Sequence, residues 1–270
     1  MPTFSILLPS DSPKTQGGNP FAPDMFDYRS SNTFNYFHPL NSDRRALIDA
    51  MHRDLEAGLK EPSTIFGKMP EDDDTDWVAV NKGIYKAPLM SALDRYGPGV
   101  MYKAMDFPGL PTGAQRRLLE EGIIVSGLFG LLRPDDLIPV YMLGIDADVT
   151  GIGPLVEYWR PKITAPLNET LKDQLVWNLL SDEFEAMWEN QRTYASMVKV
   201  VFSRNVGGEM TEVADQVALR GRLVNFIVRE TLEELEPLLS WRHPDGYTYD
   251  EERSSYDEET RTHHIAMVRH

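Results

Sequence analysis

The chain has 270 residues, 41% of them hydrophobic and 26% charged, and a formal net charge of −15. This is the composition of a globular chain long enough to bury a sizeable core, with no apolar run reaching the ~18 residues that a membrane span needs. The absence of cysteine excludes disulfides, thiolate metal sites and cysteine nucleophiles and fits a cytoplasmic protein. The acidity argues against membrane surfaces, and any contact with nucleic acid would have to gather the cations into one cleft, because phosphate contacts supply most of such affinity. No metal or cofactor is expected.

The N-terminus, Met1-Pro2-Thr3-Phe4-Ser5-Ile6-Leu7-Leu8, has no basic region ahead of its apolar stretch and predicts a first strand rather than a signal peptide. Residues 11–35, rich in Ser, Pro, Gly and Asn, read as a long surface crossing. Asn41-Ser42-Asp43 offers a helix cap, and Leu47, Met51 and Leu55 follow at four-residue spacing. Glu71-Asp72-Asp73-Asp74 reads as a solvated acidic loop rather than a metal site. Thr112 predicts the cap of a helix over 113–122 that runs into a strand at Ile123-Ile124-Val125. Residues 158–171 are helical in pattern, but Pro161 and Pro166 are expected to break or start helices there. A buried strand over 174–180, a short helix over 182–188 and a strand over 197–202 follow. A long helix then carries Leu219, Leu223, Phe226 and Ile227 on one face, and strands at 246–250 and 265–268 close the chain. The expectation is an α/β or α+β fold, one compact domain over residues 1–270, with a mixed sheet flanked by helices.

Several segments could carry chemistry. Leu8-Pro9-Ser10-Asp11-Ser12-Pro13-Lys14-Thr15 ends a strand in a polar loop, and loop amides with a lysine suit an anion, although the glycine spacing of a P-loop is missing. Ser126-Gly127-Leu128-Phe129-Gly130-Leu131-Leu132-Arg133-Pro134, followed by Asp136 and Tyr141, places glycines and a permanent cation just past a strand. There a structural Arg133–Asp136 pair fixing a turn is the simpler account. Asn178-Leu179-Leu180-Ser181-Asp182-Glu183-Phe184 ends a buried strand in polar residues, with Ser181 able to cap the next helix and Glu183 available as an acid or base. Ser-Asp-Glu is also an ordinary helix start. Arg220-Gly221-Arg222 opens the long helix and could aim a cation at an anion. Gly151-Ile152-Gly153-Pro154 has the Gly-hydrophobe-Gly form of a helix-hairpin-helix turn, but the residues before it do not read as a first helix. A loop leading into a helix is the favoured reading there. His263 and His264 are adjacent on a strand and point to opposite faces, so they do not share a metal easily.

Together these segments resemble the family of the bacterial peroxide-stress protein YaaA. The pattern runs from Ile6-Leu7-Leu8-Pro9 with Lys14-Thr15, through Tyr102, the stretch 126–134, Asp136, Tyr141, Trp159, Leu167-Asn168, Asn178-Leu179, Ser181 and Glu183-Phe184. It continues to Arg220-Gly221, Gly246-Tyr247 and Asp250-Glu251. The resemblance implies a single α/β fold with a helix-hairpin-helix-like element and a positive cleft. It also implies a role in peroxide survival through association with DNA and restriction of free intracellular iron. This chain departs from the family pattern at Met142, at Val217-Ala218-Leu219, at Asn225 and at Ala104. Three of these departures remove positive charge where DNA would be met, and each lost phosphate contact weakens the salt-dependent part of affinity.

The retained polar set therefore points to a divergent member repurposed as an enzyme or binder for a small anionic, nucleotide- or nucleoside-like molecule of specialised metabolism. The expected acid/base groups are Glu183 or Asp136. Lys14, Arg133 and Arg220 are expected to anchor the anion, with Ser181, Tyr102, Tyr141 and Asn178 lining the pocket. The alternative is the family's stress role with DNA as partner.

Overall fold

β1 (Phe4–Pro9) is the centre of the molecule because its apolar run is buried on both faces, as a parallel strand covered by helices must be. A computed structural model describes residues 4–10, 15–20, 36–67 and 74–270; Lys14 and the acidic stretch Glu71-Asp72-Asp73 lie outside the described residues. After β1 come α1 (Asn41–Ala57), α2 (Pro62–Phe66), α3 (Trp77–Lys82), β2 (Met90–Ser91), α4 (Ala92–Arg95), α5 (Val100–Met105) and α6 (Thr112–Glu121). The middle of the chain forms β3 (Gly122–Ser126), β4 (Gly130–Leu132), β5 (Leu137–Ile138), α7 (Leu155–Thr170), β6 (Leu175–Asn178) and α8 (Asp182–Glu185). It closes with β7 (Ser196–Val206), β8 (Glu209–Glu212), α9 (Val217–Glu230), α10 (Glu236–Ser240), β9 (Thr248–Asp257) and β10 (Thr262–Arg269).

The main sheet has the order β4-β3-β1-β6-β7-β10-β9, with β8 paired to β7 and a separate β2–β5 pair. β3, β1, β6, β7 and β10 run parallel, while β4, β8 and β9 are antiparallel additions. The expected single-domain α/β fold with a mixed sheet is what the chain adopts. The chain leaves β1 toward β3 on one side, and leaves β6 toward β7 on the other. Connections that part in this way open a crevice at the carboxyl ends of the two strands.

Local expectations were met with two corrections, at the prolines of α7 and at the caps of α1 and α6. Pro161 and Pro166 do not break the helix: both lie inside α7. Leu155, Trp159, Ile163 and Leu167 recur every four residues on its buried face, whereas Pro161 is exposed and Pro166 only half-buried, where a carbonyl left without its N–H partner can meet water. Asn41 does not cap α1 and Thr112 does not cap α6; each is the first helical residue, and Asn41 Oδ1 accepts from Arg44 Nη1 at 2.8 Å. The favoured reading of 144–154 holds: the residues before Gly151 form turns and no helix, a loop leading into α7 rather than a helix-hairpin-helix.

Two contacts explain the glycines that the sequence pattern emphasised. Gly130 is left-handed (φ 70°), and a Cβ there would lie 2.8 Å from the Trp159 ring, whose Nε1 donates to Gly127 O at 2.8 Å. Gly221 lets α9 lie against α5; a Cβ there would strike the Met101 carbonyl oxygen and come within 2.9 Å of Ala104 Cβ. Gly221→Ala is expected to destabilise the fold by roughly 1–3 kcal/mol, the usual range for overpacking, read as a lower urea midpoint with an unchanged m-value. A wild-type midpoint would show that α5 and α9 do not depend on this contact.

Candidate functional site

The crevice is bounded by the ends of β1 and β6. Leu7 pairs with Asn178, and Leu179 N donates to Leu7 O at 3.1 Å, so Pro9–Ser10 and Leu179–Leu180 emerge side by side. Two helices close over this edge. From α9, Arg220 Nη1 donates to Leu180 O at 3.2 Å and lies 3.5 Å from Leu179 O. Its Nε is buried and meets no hydrogen-bond partner. Burial pulls the Arg220 pKa below its ordinary value, while Glu212 and Asp182 hold it up. From α5, the Tyr102 hydroxyl donates to Pro9 O at 2.9 Å.

The aromatic lining continues toward β3. The Tyr96 and Tyr102 ring centroids are 5.6 Å apart, and the Tyr96 and Tyr141 hydroxyls are 2.6 Å apart. Ser126 Oγ, at the carboxyl end of β3, is 3.2 Å from the Tyr141 hydroxyl and accepts from Phe129 N at 3.2 Å. Tyr141 is buried, and that burial pushes its phenol up to about 12. It stays protonated at neutral pH, as a packed donor within the core.

The remaining expected residues divide. Asn178 is buried; its Oδ1 accepts from Leu180 N at 3.1 Å and its Nδ2 points at Met197 Sδ, so it shapes the turn that leaves β6. Ser181 is half-buried and stands at the N-cap of α8, but its hydroxyl makes no capping bond to this single-turn helix. Glu183 is exposed on α8. Tyr102, Asn178, Ser181 and Arg220 thus share the carboxyl edge, with Glu183 at its margin.

Arg133 and Asp136 do not join them. Arg133 Nη1 donates to Glu120 O at 2.8 Å and Gly122 O at 3.1 Å, at the start of β3 and hence at the amino edge of the parallel strands. The Asp136 carboxylate accepts from the backbone N–H groups of Arg133 (2.7 Å) and Tyr36 (3.1 Å). The link between the two residues therefore runs through the Arg133 main chain, and it fixes the turn after β4. Convergence of all the named cations on one cleft fails because β3 separates Arg133 from Arg220 by the length of a strand.

Two residues with a place near this edge had no local signature. Arg95 is fully buried and donates to four carbonyls, and Tyr96 bridges Tyr102 and Tyr141. Only their neighbours in space reveal them. His243 is also buried, with Nδ1 accepting from Asp245 N at 3.0 Å, which leaves Nε2 to donate to Leu219 O. Burial lowers its pKa, opposed by the bond to Leu219 and by Asp245. Among the described residues no group of three or more His, Asp or Glu side chains could hold a metal, and no helix is long and apolar enough to cross a membrane.

These features define an α/β protein whose central parallel strands part at their carboxyl ends beneath α5 and α9. A family model described as "Peroxide stress protein YaaA" matches residues 12–253, and the chain belongs to that family. UPF0246 proteins of Rickettsia bellii, from strains OSU 85-389 and RML369-C, are each 27% identical to it over 155 residues, 56% of this chain. The matched part spans 62% of the length of either relative.

The amino edge has its own electrostatics. Burial pushes the Asp136 carboxyl up to about 7, against the pull of its two N–H donors and of Arg44. Burial likewise raises Glu121, whose Oε2 has no hydrogen-bond partner, to about 7. In the unfolded chain such groups titrate near 4. Between about pH 4 and pH 7 the folded state then holds protons that the unfolded state has released, and stability falls as pH rises through that window. The urea midpoint is expected to drop between about pH 5 and pH 8, and Glu121→Gln or Asp136→Asn should each flatten the drop. An unaltered slope in both variants would refute this assignment.

Proposed function

We propose that the crevice between the carboxyl ends of β1 and β6 binds a small anionic molecule, nucleotide- or nucleoside-like, with Arg220 gripping its phosphate or carboxylate. The observation that carries this reading is the buried, unpartnered Nε of Arg220 beside a guanidinium nitrogen already held by the turn after β6. A buried donor left unmet costs about 1–3 kcal/mol, which an arriving anion offsets. The guanidinium offers a permanent charge and a planar fork suited to two-point contact. Tyr102, Asn178 and Ser181 line the same edge, and Glu183 is the carboxylate available there if the ligand is turned over. Titrating the protein with inorganic phosphate, pyrophosphate and nucleoside phosphates by calorimetry tests the proposal. Arg220→Ala is expected to weaken binding by about tenfold or more, and Arg220→Lys to restore it only in part. No binding by the wild type, or equal binding by Arg220→Ala, would sink the reading.

The family match favours a second reading, in which the chain acts in peroxide stress through association with DNA and restriction of free iron. A net charge of −15 weighs against broad contact with phosphates. A salt-sensitive mobility shift with duplex or single-stranded DNA would support this role, and failure to shift either at low salt would remove its DNA component.

A further inference from the structure

Arg95 is the least expected side chain in the fold. It is fully buried, and no carboxylate is among its partners. Only Tyr96 and Tyr141 offset the loss of solvation that pulls its pKa down to about 10, so it remains a cation at neutral pH. Among the described residues its four hydrogen bonds all go to main-chain carbonyls, and its Nε, like that of Arg220, is buried without a partner. Nη1 donates to Thr15 O and Gly17 O, and Nη2 donates to Pro88 O and Ile138 O.

Two of those carbonyls belong to the connection that leaves β1. Thr15 is gripped from the same place in two further ways: its N–H donates to Arg95 O at 2.7 Å, and its hydroxyl donates to Asp94 O at 2.7 Å. Asn19 then pairs with Leu89, and a Cβ on Gly18 would collide with the Leu89 carbonyl. On the other side, Pro9 O is held by Tyr102, whose ring lies against that of Tyr96, the residue after Arg95. One short segment, 94–102, therefore holds the chain both where it leaves β1 and where it passes Thr15.

We propose that Arg95 is a positioning residue that fixes the described residues after β1, Thr15 to Asn19, and through Tyr96 and Tyr102 the Pro9 end of β1, for an incoming anion. The proposal rests on the anion-binding reading of the crevice. The guanidinium acts through the main chain and does not touch the ligand. Four carbonyls fanned around one planar group suit arginine and not lysine, whose three donors radiate from a single nitrogen.

The test compares wild type, Arg95→Lys and Thr15→Val in two measurements. Hydrogen exchange without ligand reads the clamp, and phosphate or pyrophosphate calorimetry reads its consequence. In Arg95→Lys, the Thr15 and Asn19 amides should exchange about tenfold faster while central-sheet amides such as Leu7 keep their protection, the pattern of local and not global opening. Anion affinity should fall by about tenfold in the same variant, because a loosened wall must be ordered on binding. Thr15→Val removes the hydroxyl grip without disturbing the buried cation, and it should shift both readouts in the same direction by less. It keeps the proposal testable should Arg95→Lys fail to fold. Unchanged amide protection in the variants would overturn the clamp, and faster exchange with unchanged affinity would overturn its role in binding. Absence of anion binding in the wild type would overturn the reading of the crevice itself while leaving the exchange result to judge the clamp.

Discussion

The approach of α5 to α9 at Gly221 is the contact on which the candidate site depends. A side chain at that position would push the helices apart. Tyr102 sits on one helix and Arg220 on the other, and each reaches a carbonyl at the end of a different central strand, Pro9 on β1 and Leu180 on β6. The missing Cβ thus acts at a distance. It lets two helices lie close enough for one hydroxyl and one guanidinium to reach the ends of the two strands that part there.

The most distinctive stretch of the sequence, residues 126–134, serves this edge indirectly. Ser126 Oγ accepts from Phe129 N, Gly130 turns the chain beneath Trp159, and Arg133 closes the end of α6 by binding Glu120 O and Gly122 O. Each part has a geometric task in building the β3–β4 turn. A motif specific enough to reveal kinship is here mainly a device for packing, and the candidate site lies one strand away.

Buried and half-buried arginines recur through the fold, and backbone carbonyls are their common partner. Arg44 binds Phe129 O and Leu131 O along the edge strand β4, Arg95 holds four carbonyls, and Arg133 and Arg220 hold two each. A guanidinium can satisfy several acceptors in one plane, which suits loop-rich connections that lack ladder partners. Cations engaged in this way are withdrawn from the surface of a chain already acidic, which limits what remains for a polyanionic partner.

By itself the sequence determined the alternation of strands and helices, the buried central strands, the one-domain α/β class and the family, because periodicity, continuous apolar runs and motif order are local properties. It also named Tyr102, Asn178, Ser181 and Arg220, which the fold places along one carboxyl edge. Tertiary structure decided that Arg133 and Asp136 belong to the opposite edge, since which end of a strand a residue reaches depends on the direction in which β3 is threaded beside β1. It kept α7 whole across two prolines because the buried face of the helix outweighs the lost bonds on its outer side. It alone revealed Arg95, whose role is made of carbonyls drawn from positions 15, 17, 88 and 138 and carries no trace in the residues beside it.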